Sequence, residues 1–496
     1  MTRTATTIER RARRARRERK RSGLCGLCGL CVLFIVSAMM VTLSAQSPPL
    51  LTLEHAVGEA LAKNERMLNQ HDDIEQSALG VRLARNTFQP KVVPNVLGSF
   101  GQTDINSQNY RVDVTQKFTT GTEVRFGVGT STSQIPGLPG VSGPDDIHFY
   151  NADTTLTLSQ PLLRGFGPSV ARRSLTSAEL RRADADRQQT LTEQQVALEV
   201  ASAYYRVVAQ QAIVEVAKKS LDRSRKLRDG SEAKLDAGLV SQLDVLRAQQ
   251  LVSQAEIQLF DAQSGADDAR DRLMFAMGHP AGEPFLVQSD IPRTSDAVDA
   301  EDAVGMAVAN RLDLKSLAAS GADADHQVRY ARNQLLPQVD VNFAFTRRET
   351  AETFRRSFGA DRFRFATFFN ISTPVDRTPQ IVDYQNALID RDRRKRDAAT
   401  LQRRIADDVK RAIRERDRLE RTLVAADTSV DIGRKEVEVA QLRYERGLSN
   451  NLDVVTAESN LLTAESRRIA TLADSAVARL SLRAMLGILD PRADVK

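Results

Sequence analysis

Apolar residues recur three or four apart through six long stretches: 52–87, 168–236, 241–277, 300–335, 380–446 and 450–486. This spacing predicts amphipathic helices. Two of them are about 70 residues long and uninterrupted by proline after their first turn. Within these, Val196, Val200, Ala203 and Val207, then Leu401, Ile405, Val409 and Ala412, form a narrow apolar seam under otherwise charged faces. The run Asp390 to Asp397 is read as solvated surface. A long helix with so narrow a seam is stable only when paired along its length. At 1.5 Å per residue such a helix is about 105 Å long, the length of two shorter ones stacked end to end. The expected packing is an elongated helical wall.

A second pattern lies between the helices. Val339, Val341, Phe343 and Phe345 alternate with polar neighbours, as do Phe363, Phe365, Phe369 and Ile371. Strands also fit 91–104 and 152–160. Fourteen of the 18 phenylalanines fall in 88–166 or 339–373, which concentrates aromatic residues around the strands. Alternating strands flanked by aromatics suit a membrane barrel, with an ordinary half-buried hairpin as the alternative. One hairpin per half gives four strands per chain, whereas the smallest membrane barrels need about eight. An open sheet edge is not tolerated in lipid, so several chains must complete one barrel.

The halves are copies. Residues 54–90 match 301–337 at an offset of 247, and 238–278 match 447–487 at an offset of 209. The smaller second offset means that the first copy holds 38 extra residues. They include Tyr110 to Phe118 and Val124 to Val128, which alternate around a glycine-containing turn and predict an extra hairpin at about 110–129. That hairpin either joins the barrel wall, giving six strands per chain, or stands outside it as an extracellular flap.

Charge changes the picture only at the start. Residues 3–21 carry ten Arg or Lys against Glu9 and Glu18, and an uncharged apolar run follows to Ala45. This predicts a signal peptide over 1–45, with a retained anchor as the rival reading. Without that segment the net charge moves from +6 to about −2, so the basic balance argues nothing about nucleic acid. Cys25, Cys28 and Cys31 all lie inside it, where metal ligation is not expected. The five histidines form no pair at ligand spacing, and no phosphate loop or nucleophile motif is present. No enzyme activity, cofactor or metal is expected.

Several motifs then occur in order. Leu51–Asn64 reads L-T-L-x-x-A-V-x-x-A-L-A-x-N, with a weaker echo at 301–311. Pro90 and Pro337 stand at the helix-to-strand changes, and 159–167 reads S-Q-P-L-L-R-G-F-G. Two related turns, Ala237 to Val245 and Arg446 to Val454, sit where a long helix returns as a short one. Together these resemble the TolC-type outer-membrane efflux family over the whole chain beyond the signal segment. The resemblance implies a homotrimer with a 12-stranded outer-membrane barrel continued by a periplasmic α-helical tunnel. Such a duct serves a tripartite pump or a type I secretion system and performs no chemistry. It implies as partners a periplasmic adaptor, an inner-membrane transporter of the RND, ABC or MFS type, and outer-membrane lipid. For the insert, the resemblance favours the flap.

The tips carry two readings. By capping chemistry, Gly238 and Gly447 end helices, Ser241 and Asn450 start the next, and Asp244 and Asp453 answer free amides three residues on. By the resemblance, Asp453 matches an aspartate ring at the periplasmic gate, and Tyr444 and Asp244 match a link of the closed state. Thr456 stands in place of a second ring aspartate, and Ser449 in place of a basic residue. Gly238, Leu239, Gly447 and Leu448 are the expected adaptor contacts.

The fold class is therefore mainly α with a membrane β-barrel portion. The first repeat is 46–278, a linker 279–298, the second repeat 299–487 and a tail 488–496. A periplasmic coiled-coil scaffold or surface adhesin is the competing function.

Overall fold

The computed structural model describes residues 50–99, 106–136, 146–280, 282, 285–288, 291–293, 300–359 and 363–493. The expected signal segment, with its three cysteines, lies outside them, as does much of the linker. The chain divides into two units. One comprises Met1–Leu50 and Pro284–Leu286, and of it only Leu50, Phe285 and Leu286 are described. The other, Leu51–Glu283 with Val287–Lys496, carries everything that follows.

In the first repeat, α1 (Leu53–Lys63) and α2 (Glu65–Asn86) lead into four strands, β1 (Lys91–Gly98), β2 (Asn106–Lys117), β3 (Glu123–Pro136) and β4 (Asp146–Pro161). A single turn, α3 (Pro168–Ala171), precedes the long α4 (Arg173–Asp236), which returns as α5 (Gln242–Met277). The second repeat runs α6 (Ala300–Asn310), α7 (Leu312–Gln334), β5 (Gln338–Ala351), the turn α8 (Phe354–Ser357), β6 (Phe363–Ser372), α9 (Thr378–Glu445) and α10 (Asn451–Met485).

The stretches 52–87 and 300–335, expected as single helices, are each broken once. At Asn64 the side chain accepts from the Arg66 amide (2.9 Å) and donates to the Ala276 carbonyl (2.8 Å). The cause is close backbone contact. Gly278, left-handed at φ 81°, ends α5 against this break, and a Cβ there would lie 2.8 Å from the Lys63 carbonyl oxygen. The second repeat does the same: Gly487 (φ 71°) ends against the break at Arg311, where a Cβ would lie 3.0 Å from the Arg311 amide nitrogen. Only glycine meets both the φ and the space.

The seams pair as their narrowness requires. Val196, Val200 and Val207 are buried along α4, with Ala203 half-buried. Ile405, Val409 and Ile413 of α9 pack with Ala303, Ala307, Leu482 and Leu486, and Leu401 and Ala412 flank that cluster. Burial of this kind contributes about 25 cal/mol per Å² of apolar surface.

All six long strands form one antiparallel sheet in the order β1-β2-β3-β4-β5-β6. The insert is therefore not a flap standing outside the sheet. Its two strands lie between β1 and β4, and the chain supplies six strands rather than four. The physical reason is their alternation. Val112, Val114, Phe126 and Val128 continue the apolar face of their neighbours, so both strands fit the sheet on either side.

Candidate functional site at the helix tips

Both tips close with the same backbone device. Gly238 (φ 71°) and Gly447 (φ 72°) are left-handed. The Leu239 amide donates to the Lys234 carbonyl and the Leu448 amide to the Arg443 carbonyl, each at 2.8 Å. These are Schellman closures, which satisfy helix-end carbonyls. They push Leu239 and Leu448 outward, 73% and 66% exposed, beside the exposed Leu243 and Leu452. No heavy atom lies within 4 Å of where a Cβ would stand on either glycine.

The two aspartates part company here. Asp244 completes a capping box: Ser241 Oγ accepts from the Asp244 amide (3.3 Å), and Asp244 Oδ2 accepts from the Ser241 amide (3.1 Å) and hydroxyl (2.6 Å). Arg247 stands 3.8 Å away. Asp453 has no such role, because Asn450 makes no side-chain cap bond. Its carboxylate is exposed and has no hydrogen-bond or ion-pair partner among the described residues.

Tyr444 and Asp244 line one open cleft with Lys234, Gly238 and Gly447, but they are not bonded to one another. The buried Tyr444 hydroxyl pairs with Ser231 Oγ at 2.8 Å. Asn451, fully buried, donates to Ser231 Oγ (3.2 Å) and to the Asp244 main-chain carbonyl (2.9 Å). Within the chain the two residues are joined by a relay, Tyr444–Ser231–Asn451–Asp244, which ends on the Asp244 backbone and not on its carboxylate. It ties the tip of one repeat to the tip of the other. Lys234 adds to it, with Nζ 3.9 Å from the Tyr444 ring centroid and 2.8 Å from its carbonyl oxygen.

Sequence reasoning missed Ser231, Asn451 and Lys234. A polar residue at Asn451, on the apolar side of α10 beside Val454 and Ala457, was the available signal. Thr456 donates to the Leu452 carbonyl of its own helix at 2.8 Å. Ser449 Oγ is buried without a hydrogen-bond partner.

One further pair lies just above the tips. Glu458, 2% exposed, accepts from Arg223 Nε at 2.7 Å and from Gln441 at 3.1 Å. Burial pushes its carboxyl above the usual carboxylate range, against the pull of Arg223. Among the described residues, no group of three or more His, Cys, Asp or Glu is placed to hold a metal, and no helix is long and apolar enough to cross a membrane.

The family model for outer membrane efflux proteins matches residues 56–279 and 303–488, one match on each repeat. The chain belongs to the outer membrane efflux protein family. Among curated proteins none matches. Among solved structures, the outer-membrane channel OprN aligns at 17% identity over 89% of this chain and 90% of its own, with a TM-score of 0.68. VceC of Vibrio cholerae aligns at 16% identity over 88% and 96%, TM-score 0.66. The open state of MtrE of Neisseria gonorrhoeae aligns at 17% identity over 88% and 89%, TM-score 0.64. At these identities the likeness is one of fold. With the family, it makes the chain an exit channel for efflux in the outer membrane, with a large helical portion in the periplasm. Nothing favours the scaffold or adhesin reading. The family is one of channels, and its members are homotrimers that work with adaptor proteins and inner-membrane transporters.

Proposed function

We propose that three copies form a passive duct held shut at the periplasmic tips, with Asp453 of each copy lining the narrowest ring. The observation that carries this is the free, exposed carboxylate of Asp453, whose repeat counterpart Asp244 is spent on its own helix. Three carboxylates around one axis attract cations and let them block a pore. The relay through Tyr444, Ser231, Asn451 and the Asp244 backbone holds the two tips of a protomer together in the shut position. Gly238, Leu239, Gly447 and Leu448 are the adaptor's contact. The open space at both glycines and the exposed leucines offer a helical hairpin a close, apolar seat. Cargo comes from an inner-membrane transporter of the RND, ABC or MFS type.

Planar-bilayer recording tests the gate. Asp453→Ala should weaken block by divalent cations, and Tyr444→Phe with Ser231→Ala should raise single-channel conductance. Unchanged block and unchanged conductance would leave the tips a purely structural turn. For the adaptor, Gly447→Trp should abolish export while the trimer still assembles; retained export would remove the glycines from the contact.

A further inference from the structure

The insert is built into the sheet from three sides. Its turn lies at the end from which the helices depart. The Phe118 amide donates to the Thr122 carbonyl (2.8 Å), and the Gly167 amide, just before α3, donates to the Thr120 carbonyl (3.1 Å). Gly121 (φ 94°) sits so close to this segment that a Cβ would lie 2.5 Å from the Gly165 carbonyl oxygen. A flap on the far side of the membrane could close its own turn but could not make the contacts to Gly165 and Gly167.

Both faces run through the insert without a seam. Register places Val92, Val114, Phe126, Leu156, Phe345 and Phe365 in one row across all six strands. The next row on the same face runs Pro94, Val112, Val128, Thr154, Arg347 and Phe363, and the Arg347 guanidinium turns to the Gly359 carbonyl. The other face is polar across β2 to β5, with Val93 and Leu97 at one edge strand and Phe368 at the other. There Arg111 of β2 reaches across β3 to Asp153 (2.7 Å) and Thr155 (3.1 Å) of β4, while also holding Asp113 (2.8 Å). It can do so because β3 carries Gly127 and Gly129 at the crossing. A Cβ on Gly127 would meet the Arg111 guanidinium at 2.5 Å, and one on Gly129 would meet Asp153 at 2.9 Å. One apolar and one charged face is the pattern of a strand between lipid and a watery lumen. At 12 and 14 residues, β2 and β3 exceed the roughly 9–11 that a membrane strand needs.

Two edges remain, β1 and β6, and both expose every residue described. In lipid their free amides and carbonyls must be paired, and apolar Val92 and Val96 at one edge continue Phe365 and Phe369 at the other. We propose that β6 of one copy pairs with β1 of the next, and that six strands from each of three copies close an 18-stranded barrel, not the 12-stranded one of the family pattern. This rests on the outer-membrane trimer. Barrel diameter grows about linearly with strand number, so the exit is about 1.5-fold wider than 12 strands would make it, in the range of water-filled porins. It passes bulkier cargo than a 12-stranded exit, and the tips alone limit the flow.

The test uses the full chain with Cys25, Cys28 and Cys31 replaced by alanine, and single cysteines read with a maleimide too large to pass porins. Gly121 is unsuitable because its φ and close contact exclude a side chain, so the turn is probed by Thr119→Cys. It should stay unlabelled in intact cells and label once the outer membrane is opened. Arg355→Cys, in the loop between β5 and β6, should label from outside, and Leu239→Cys only after opening. Arg355 silent with Leu239 labelled from outside would overturn the outer-membrane reading itself. Arg355 and Thr119 both labelled from outside would overturn the 18-stranded barrel and leave the duct standing. A strand count by electron microscopy of the purified trimer gives the second reading: 18 is expected, and 12 overturns the proposal.

Discussion

The two tips share nine-residue turns identical at five positions, yet they put the same aspartate to different use. At the first, Ser241 is short enough to fold back on Asp244 and complete a capping box. At the second, Asn450 makes no cap bond and Asp453 is left facing solvent. Above them the repeat exchanges an acid and an amide: Gln249 donates to Glu232 in the first copy (3.2 Å), Gln441 to Glu458 in the second (3.1 Å). The first acid is half-buried; the second is fully buried and draws Arg223 of the other repeat onto it. A duplicated turn thus diverges through side-chain reach. The first copy keeps the capping role, and the second leaves one carboxylate free in solvent and buries another that ties the halves together.

The largest effect should come from cutting that tie. Arg223→Ala leaves a buried carboxylate unpaired and should destabilise the folded protein by about 2–3 kcal/mol, discounted for the partly exposed guanidinium. Glu232→Ala, which removes the acid of the first copy's pair with Gln249, should cost less than about 0.5 kcal/mol. Equal losses in denaturant titrations would erase the contrast. Next come the aspartates: Asp244→Ala should cost about 1 kcal/mol through the lost box, and Asp453→Ala almost nothing.

A pH series probes the buried acid further. Because burial raises the folded pKa of Glu458, its contribution is complete below the ordinary carboxylate value and is lost as pH rises through the raised one. Glu458→Gln should match the wild type in acid and gain on it in melting temperature toward neutrality. The smallest change is the most direct. Asn450→Ser should let the second tip form its own capping box, engage Asp453 and weaken divalent block without altering assembly. Undiminished block would show that Asp453 serves the pore whatever its cap.

Much of this was legible in residues. The glycines, the leucines beside them and the strand alternation are local signals, since φ and face depend on near neighbours. The breaks at Asn64 and Arg311 were not, because their cause is a glycine more than 170 residues away. The partners of Tyr444 and Asp244 were hidden for a like reason: Ser231 and Asn451 come between the two residues only after both hairpins pack. Alternation identified the insert as a hairpin but carried no information on which strand it would join. A finer signal was present. Arg111, Asp113 and Asp153 share the parity of Gly127 and Gly129, so charges on two strands can meet over a third that offers no side chains.

The order of the sheet also sets the order of folding. Each helix hairpin closes from residues near in sequence, and β2 meets β3 across a turn from Lys117 to Glu123. The seam between β4 and β5 joins Thr155 to Thr346, about 190 residues apart. Contacts so distant form slowly, because the closure entropy is spent before the pairing rewards it. Until the seam closes, each chain has four raw strand edges, and afterwards two, each a template for wrong pairing. Assembly is therefore a race between finding the second half of the same chain and finding a neighbour too early, and its yield should fall as the concentration of unassembled chains rises.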